Sequence, residues 1–247
     1  MRAATLAVIV LLAPQAALAQ TQPQPQPKAQ TCPQPVASAR KLVLVTGEFT
    51  RAGASIQRFQ RAAPGAPWQA DGAPVSGVIG YNGLAWSAAF YALAAQGEPM
   101  KAEGDKRSPA GFYKIGANFG FAGANRANYV RIVEGTTCVN DLASPAYNTI
   151  TTREKVGWGV HGENMWRVPE YRRGLFIDYP SDRHMRAGSC IFIHLQLPGK
   201  IGTAGCVALP EPELDVLQEF AADGAVLAIV PRTALDRFKG CLPQPAN

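Results

Sequence analysis

This chain of 247 residues has little that points to metal, nucleic-acid or membrane chemistry. It contains three histidines, and none of His161, His184, His194 and Cys206 stands within two to four residues of another, the spacing on which metal motifs rely. No metal and no cofactor is expected. Charged residues are only 17% of the chain, and the formal charge of +6, one less once Arg2 is removed, comes from bases that are scattered apart from small groups such as Arg172-Arg173. With no nucleic-acid motif in sight, nucleic acid is not an expected partner, whereas an anionic cell wall or membrane surface suits a mild basic excess. The apolar run Ala3 to Ala13 is too short to span a bilayer and is broken by Pro14, so no stable membrane insertion is expected. No internal repeat is present.

Met1-Arg2, that apolar run and the small residues Ala17-Leu18-Ala19 read instead as a secretory signal over residues 1–19, cleaved before Gln20. The residues before Cys32, Ala29-Gln30-Thr31, lack the pattern of a bacterial lipidation signal, so an exported, periplasmic protein is expected. Residues 20–35, where glutamine and proline alternate, carry almost no apolar surface and read as an extended linker. The remainder, 36–247, reads as one domain and as a monomer; with 47% hydrophobic residues in the chain it can bury one sizeable core. Five cysteines are an odd number in an exported chain, so at least one stays unpaired. Cys32 and Cys241 flank the domain and suit a disulfide. Cys138 and Cys190 would either pair or remain reduced; on apolar strands both read best as inert core cysteines.

Short β-branched or aromatic runs separated by Gly, Pro, Asn and Asp predict strands over residues 41–46, 55–61, 75–80, 111–115, 129–133, 174–179, 189–195, 206–209 and 225–230. Glu211 to Ala222 predicts a helix, with Leu214, Leu217 and Phe220 on one stripe; Asn164 to Arg173 is a weaker helix. The expected fold is mainly β, a barrel or sandwich with small helical insertions.

Chemistry concentrates between His194 and Leu209. Period-two alternation puts Cys190, Phe192 and His194 on one face of a strand and Ile191 and Ile193 on the other. The excursion through Pro198, Gly199 and Gly202 then reads as a turn that lays two strand ends side by side, bringing His194 to Cys206. An imidazole beside a thiol is the usual way to make a cysteine nucleophilic. Gly205, lacking a side chain, would let a substrate carbonyl approach, and the N–H groups of Gly205 and Cys206 would form an oxyanion hole.

Thr203-Ala204-Gly205-Cys206-Val207-Ala208-Leu209 with upstream His194 resembles the signature of L,D-transpeptidase (YkuD) catalytic domains. Lys101-Ala102-Glu103-Gly104-Asp105-Lys106-Arg107-Ser108-Pro109-Ala110-Gly111-Phe112-Tyr113 resembles a second block of that family, and the likeness covers roughly Lys41 to Val230. The resemblance implies an L,D-transpeptidase-like β-barrel or sandwich. It also implies a cofactor-free reaction on peptidoglycan stem peptides, in which Cys206 attacks the carbonyl of an L-residue followed by a D-residue and forms a thioacyl-enzyme. His194 would take the thiol proton and later activate the acceptor amine, with a backbone carbonyl or Thr203 orienting its ring. Thr203 and Ala204 would border the substrate. Gly104, Asp105 and Pro109 read as a turn in which Asp105 caps backbone N–H groups.

Two positions depart from the family pattern: Leu195 follows His194 where many members have Gly, and Ala208 stands where Arg is common. Arg172, Arg173, Arg183 or Arg186 would have to supply the missing cation, and the choice between a 3-3 and a 1-3 cross-link stays open. Residues 157–173 read either as a lid that brings His161, Glu163 or Trp166 to the substrate, or as a plain surface loop with a solvated histidine. Besides the transpeptidase, a carboxypeptidase or amidase on the same fold and a non-catalytic wall-binding protein fit the chain, although a binding module needs no activated thiol.

Overall fold

Strands whose apolar residues fill both faces must be covered on both sides, and the chain meets that demand by closing a sheet on itself. The computed structural model describes residues 32–123 and 128–244; the expected signal, residues 1–19, and most of the linker lie outside them. In chain order the strands and helices are β1 (Lys41–Gly47), β2 (Gly53–Gln60), β3 (Gln69–Val78), β4 (Leu84–Trp86), β5 (Ser108–Gly120), β6 (Tyr129–Arg131), β7 (Thr136–Val139) and β8 (Ile150–Thr152). They continue with α1 (Arg153–Val156), β9 (Gly162–Asn164), β10 (Arg173–Ile177), β11 (Phe192–Leu195), β12 (Val207–Leu209), α2 (Glu211–Phe220) and β13 (Ala225–Pro231).

The main sheet runs β10-β11-β12-β3-β2-β1-β13-β5-β4, and β10 also pairs with β5, which closes the strands from β10 to β5 into a barrel-like ring and leaves β4 outside it. Alternation decides what goes inside. Val43 and Val45 of β1, Leu227 and Ile229 of β13, Ile193 and Leu195 of β11, and Val207 and Leu209 of β12 share one cluster, joined by Leu214, Leu217 and Phe220 of α2. Their strand neighbours Leu42, Leu44, Val226, Ala228 and Val230 form a second cluster with Trp86, Phe112 and Phe238. At roughly 1.5–3 kcal/mol for each large apolar side chain removed from water, these clusters supply the main driving force. A separate three-stranded sheet, β8-β7-β9, carries residues 136–164.

The mainly β expectation holds, as does the helix at Glu211, with two acids in its first turn. The segment Asn164 to Arg173 is not one helix: it forms two 3-10 turns, Met165–Arg167 and Pro169–Arg172, because Pro169 cannot continue the first and disfavours helical geometry at Val168. The expected strand 189–195 begins only at Phe192, since Cys190 adopts a left-handed φ of +57°. Among the described residues Cys32, ahead of Val36, is already tied to the domain by a Cys32–Cys241 disulfide. Cys138 and Cys190 are buried and inert as expected but not reduced, because they pair with each other. Two disulfides fit an oxidising compartment, and no helix among the described residues is long and apolar enough to cross a membrane.

Candidate active site

β11 and β12 lie side by side, but parallel, with Ile193 opposite Val207 and His194 opposite Ala208. The excursion from His194 to Cys206 is therefore a crossover and not a reversal, as parallel strands require. His194 and Cys206 line one cleft together with Thr203, Ala204, Glu163 and Tyr171. Cys206 is 6% exposed and, among the described residues, is the free cysteine.

The turn before β12 is held by hydroxyls. Thr203 Oγ1 donates to the Cys206 carbonyl at 2.7 Å and accepts the Gly205 N–H at 3.1 Å. Ser108, from the second sequence block, donates to the Gly205 carbonyl at 2.6 Å, also lies 3.1 Å from that of Cys206, and accepts the Gly80 N–H at 2.9 Å. The two blocks thus meet at Cys206. Asp105 caps the Ala102 and Arg107 N–H groups as expected and pairs with buried Lys101 at 2.5 Å.

Two expectations about Gly205 change. Its N–H is taken by Thr203, so Thr203 shapes the turn and does not orient the imidazole. A Cβ at Gly205, whose φ is +155°, would meet Ile191 Cδ1 at 2.8 Å and the Arg107 carbonyl at 3.2 Å. The missing side chain makes room for the protein's own packing.

His194 is buried, and its Nδ1 lies 2.9 Å from the Leu195 carbonyl. A carbonyl only accepts, so Nδ1 carries the hydrogen and Nε2 keeps a lone pair. Burial holds its pKa below the ordinary imidazole value, which keeps the ring neutral and able to accept a proton. The thiol is pushed up to about 12, first by burial and then by the negative charge of Glu163, with partial relief from the Phe192 N–H, Tyr171 and Lys101. At rest its sulfur accepts the Phe192 N–H at 3.3 Å and donates to the Cys190 carbonyl at 3.4 Å.

Of the residues expected to border substrate, Thr203, Ala204 and Glu163 line the cleft, while His161, Trp166 and Arg183 are not among its lining residues. His161 is exposed, with its N–H on Asp141 at 3.1 Å, which is the surface-loop reading. Trp166 packs edge-on to Trp158, ring centroids 6.1 Å apart, and Arg183 is exposed. The arginines offered in place of the missing one are engaged elsewhere or remote: Arg172 binds Glu211 at 2.6 Å and Arg173 pairs with Asp215. Lys200, paired with Glu170 at 3.4 Å, is the cation that borders the cleft.

Sequence reasoning missed Tyr171. Its hydroxyl donates to Glu163 Oε2 at 2.7 Å, its ring meets His194 edge-on with centroids 5.4 Å apart, and it shares a buried cluster with Cys206. It sits in a 3-10 turn with no periodicity to betray it. In comparisons with known proteins, no family model and no curated sequence matches this chain.

Proposed function

We propose that the protein is a cysteine-dependent acyltransferase of the L,D-transpeptidase (YkuD) kind, exported to the periplasm, where it cross-links peptidoglycan stem peptides. The observation that carries this reading is the combination of one free thiol and one neutral imidazole in a single cleft, while the other four cysteines are locked in disulfides. His194 takes the thiol proton, the thiolate of Cys206 attacks the carbonyl at an L-to-D bond, and the imidazolium returns that proton to the departing D-residue amine as the C–N bond breaks and a thioester is left; an acceptor amine then displaces the sulfur, its proton passing by way of His194 to the released thiolate. His194 is the base available to that amine. With the Gly205 N–H occupied, the Cys206 N–H is left to stabilise the oxyanion. Lys200 supplies positive charge for a carboxylate on the stem in place of the absent arginine.

The test is incubation with purified muropeptides followed by mass analysis. New dimers joined at residue three or residue one are expected and fix the linkage. Loss of a D-residue without dimers would make the protein a hydrolase, and products unchanged by wild type and Cys206→Ala alike would make it a binding protein. Carbapenem should add covalently to Cys206, and Cys206→Ala should abolish the adduct.

A further inference from the structure

Beyond the thiol and the imidazole, the cleft carries a large aromatic side chain to which the proposed reaction gives no role. Tyr81 lines it beside Lys200, Gly202 and Thr203 and is 45% exposed. The other exposed aromatics among the described residues, Tyr91 and Trp158, are not part of its lining. A single exposed apolar residue is ordinary. What marks Tyr81 is how it is held.

Its backbone is fixed to the turn that carries Cys206. Gly80 forms a parallel bridge with Thr203, the Tyr81 N–H donates to the Thr203 carbonyl at 2.9 Å, and Thr203 Oγ1 donates in turn to the Cys206 carbonyl. The Asn82 N–H binds the Lys106 carbonyl at 3.0 Å, and the Gly83 N–H closes a turn onto Gly80 at 2.8 Å. The ring lies against Gly202, where a Cβ would come within 2.7 Å of Tyr81 Cδ1. Glycine there lets the aromatic seat itself on the crossover between β11 and β12. Among the described residues the Tyr81 hydroxyl has no hydrogen-bond partner, and Ile201, next to Gly202 in the chain, is 74% exposed. Polar groups complete the rim. Gln196 donates its side-chain N–H to the Lys200 carbonyl at 2.9 Å and keeps its oxygen as an acceptor, and Lys200 and Glu170 pair at 3.4 Å.

A rigid aromatic face with hydrogen-bonding groups at its edge has the chemistry that receives a sugar. The C–H bonds on one face of a pyranose carry slight positive charge and lie well against the negative face of an aromatic ring, while the hydroxyls at the sugar's edge seek polar partners. We propose that Tyr81 is the stacking platform of a carbohydrate subsite, which takes a pyranose ring of the glycan strand that bears the stem peptide. The inference rests on the reading of the cleft as a stem-peptide site. A stem hangs from its sugar through a lactyl group, so a sugar lies only a few residues from the attacked bond, at about 3.3–3.6 Å for each extended residue. Two hydrogen bonds separate the backbone of Tyr81 from that of Cys206, a distance such a span covers. Binding energy gathered at the sugar, away from the reacting atoms, then holds the stem carbonyl at the sulfur.

The experiment measures Kd by calorimetry on the disulfide-intact Cys206→Ala protein, which does not turn substrate over. The two ligands are a disaccharide-bearing muropeptide and the same stem peptide released from its sugars. The sugar-bearing ligand should bind about tenfold more tightly, the size of one good aromatic contact. Adding Tyr81→Phe should keep that preference. Adding Tyr81→Leu, which keeps bulk against Gly202 but has no flat face, should abolish it with melting temperature retained. Equal Kd for the two ligands before any change at Tyr81, or a preference that survives Tyr81→Leu, overturns the subsite. Equal weakening of both ligands in Tyr81→Leu overturns it as well, because the ring would then touch the peptide. If the wild type makes dimers from both stems without preferring the sugar, the subsite falls and the proposed function stands; binding of neither ligand overturns both.

Discussion

The Cys32–Cys241 and Cys138–Cys190 bridges resemble each other as chemistry and differ in what surrounds them. Cys241 lies among Trp86, Phe112, Phe238 and Leu242, a cluster of apolar side chains in which nothing reactive is exposed to the bridge. Cys138 and Cys190 lie among Cys206, Tyr171 and Phe192, where a thiol and a phenol share the same space. The first bridge closes a chain separation of 209 residues and the second one of 52. Loop-closure entropy thus gives them similar worth, roughly 5 and 4 kcal/mol. What separates them is strain and alignment. Cys190 is held at φ +57°, a conformation that disfavours any side chain, with its N–H on Asn148 Oδ1 at 3.0 Å and its carbonyl facing the thiol. One bridge secures a core; the other sets the geometry around a free thiol.

The largest effects should come from removing each bridge. Replacing Cys32 and Cys241 by Ser should cost about 5 kcal/mol in denaturant unfolding, while carbapenem acylation of Cys206, measured where the variant is still folded, keeps its rate. Replacing Cys138 and Cys190 should cost about 4 kcal/mol and also slow acylation at least tenfold in the folded fraction; a slowing confined to the unfolded fraction would erase the distinction drawn between the two bridges. Next comes Ser108→Ala, which leaves the buried Gly80 N–H unpartnered and frees the Gly205 turn. A loss of about 1–3 kcal/mol is expected, with slower acylation, read by unfolding and by mass analysis of the adduct.

Titration sharpens the same contrast at smaller amplitude. At the active site, His194 has a folded pKa below its unfolded value near 6.5. The unfolded chain therefore takes up a proton first, and stability falls as pH drops below that value. The acid limb of the pH–rate profile should lie below the ordinary imidazole pKa, and His194→Asn should remove it. In the other cluster's surroundings, the bond from Arg237 holds Glu98 down to about 2, against 4.5 unfolded. Its contribution is present above pH 4.5 and is lost as pH falls toward 2. Because the Arg237 side chain is 35% exposed, solvent screening keeps it below about 1 kcal/mol. Glu98→Gln should flatten the acid unfolding curve by that amount and leave acylation untouched.

Much of the barrel was legible because its strands alternate or are uniformly apolar: β1, β13 and the helix α2 follow directly from Leu42 to Val45, Val226 to Ile229 and Leu214 to Phe220. The strands β4, β7, β8 and β9 were not, since three or four residues such as Gly-Glu-Asn give no period to detect. Strand direction was hidden as well; a twelve-residue excursion with Pro and Gly serves a reversal or a crossover equally. Of the cleft's lining, Cys206 and His194 could be named by residue type and spacing, Thr203 and Ala204 by the resemblance, and Glu163 only as part of a lid that read equally as a surface loop. Tyr171 could not, because its place in the cleft depends on β10, β11 and the small sheet closing together. At Gly205 the sequence shows the missing side chain, but only the folded chain shows Ile191 and Arg107 crowding the space one would fill.

Burial of Cys206 also governs how long it lasts. Oxidants and disulfides react with thiolate far faster than with thiol, and this sulfur is both protonated and shielded while lying next to the Cys138–Cys190 bridge. The burial that keeps the sulfur protonated also withholds it from exchange with that neighbour. A reduced cysteine can in this way persist in a compartment that oxidises its exposed counterparts.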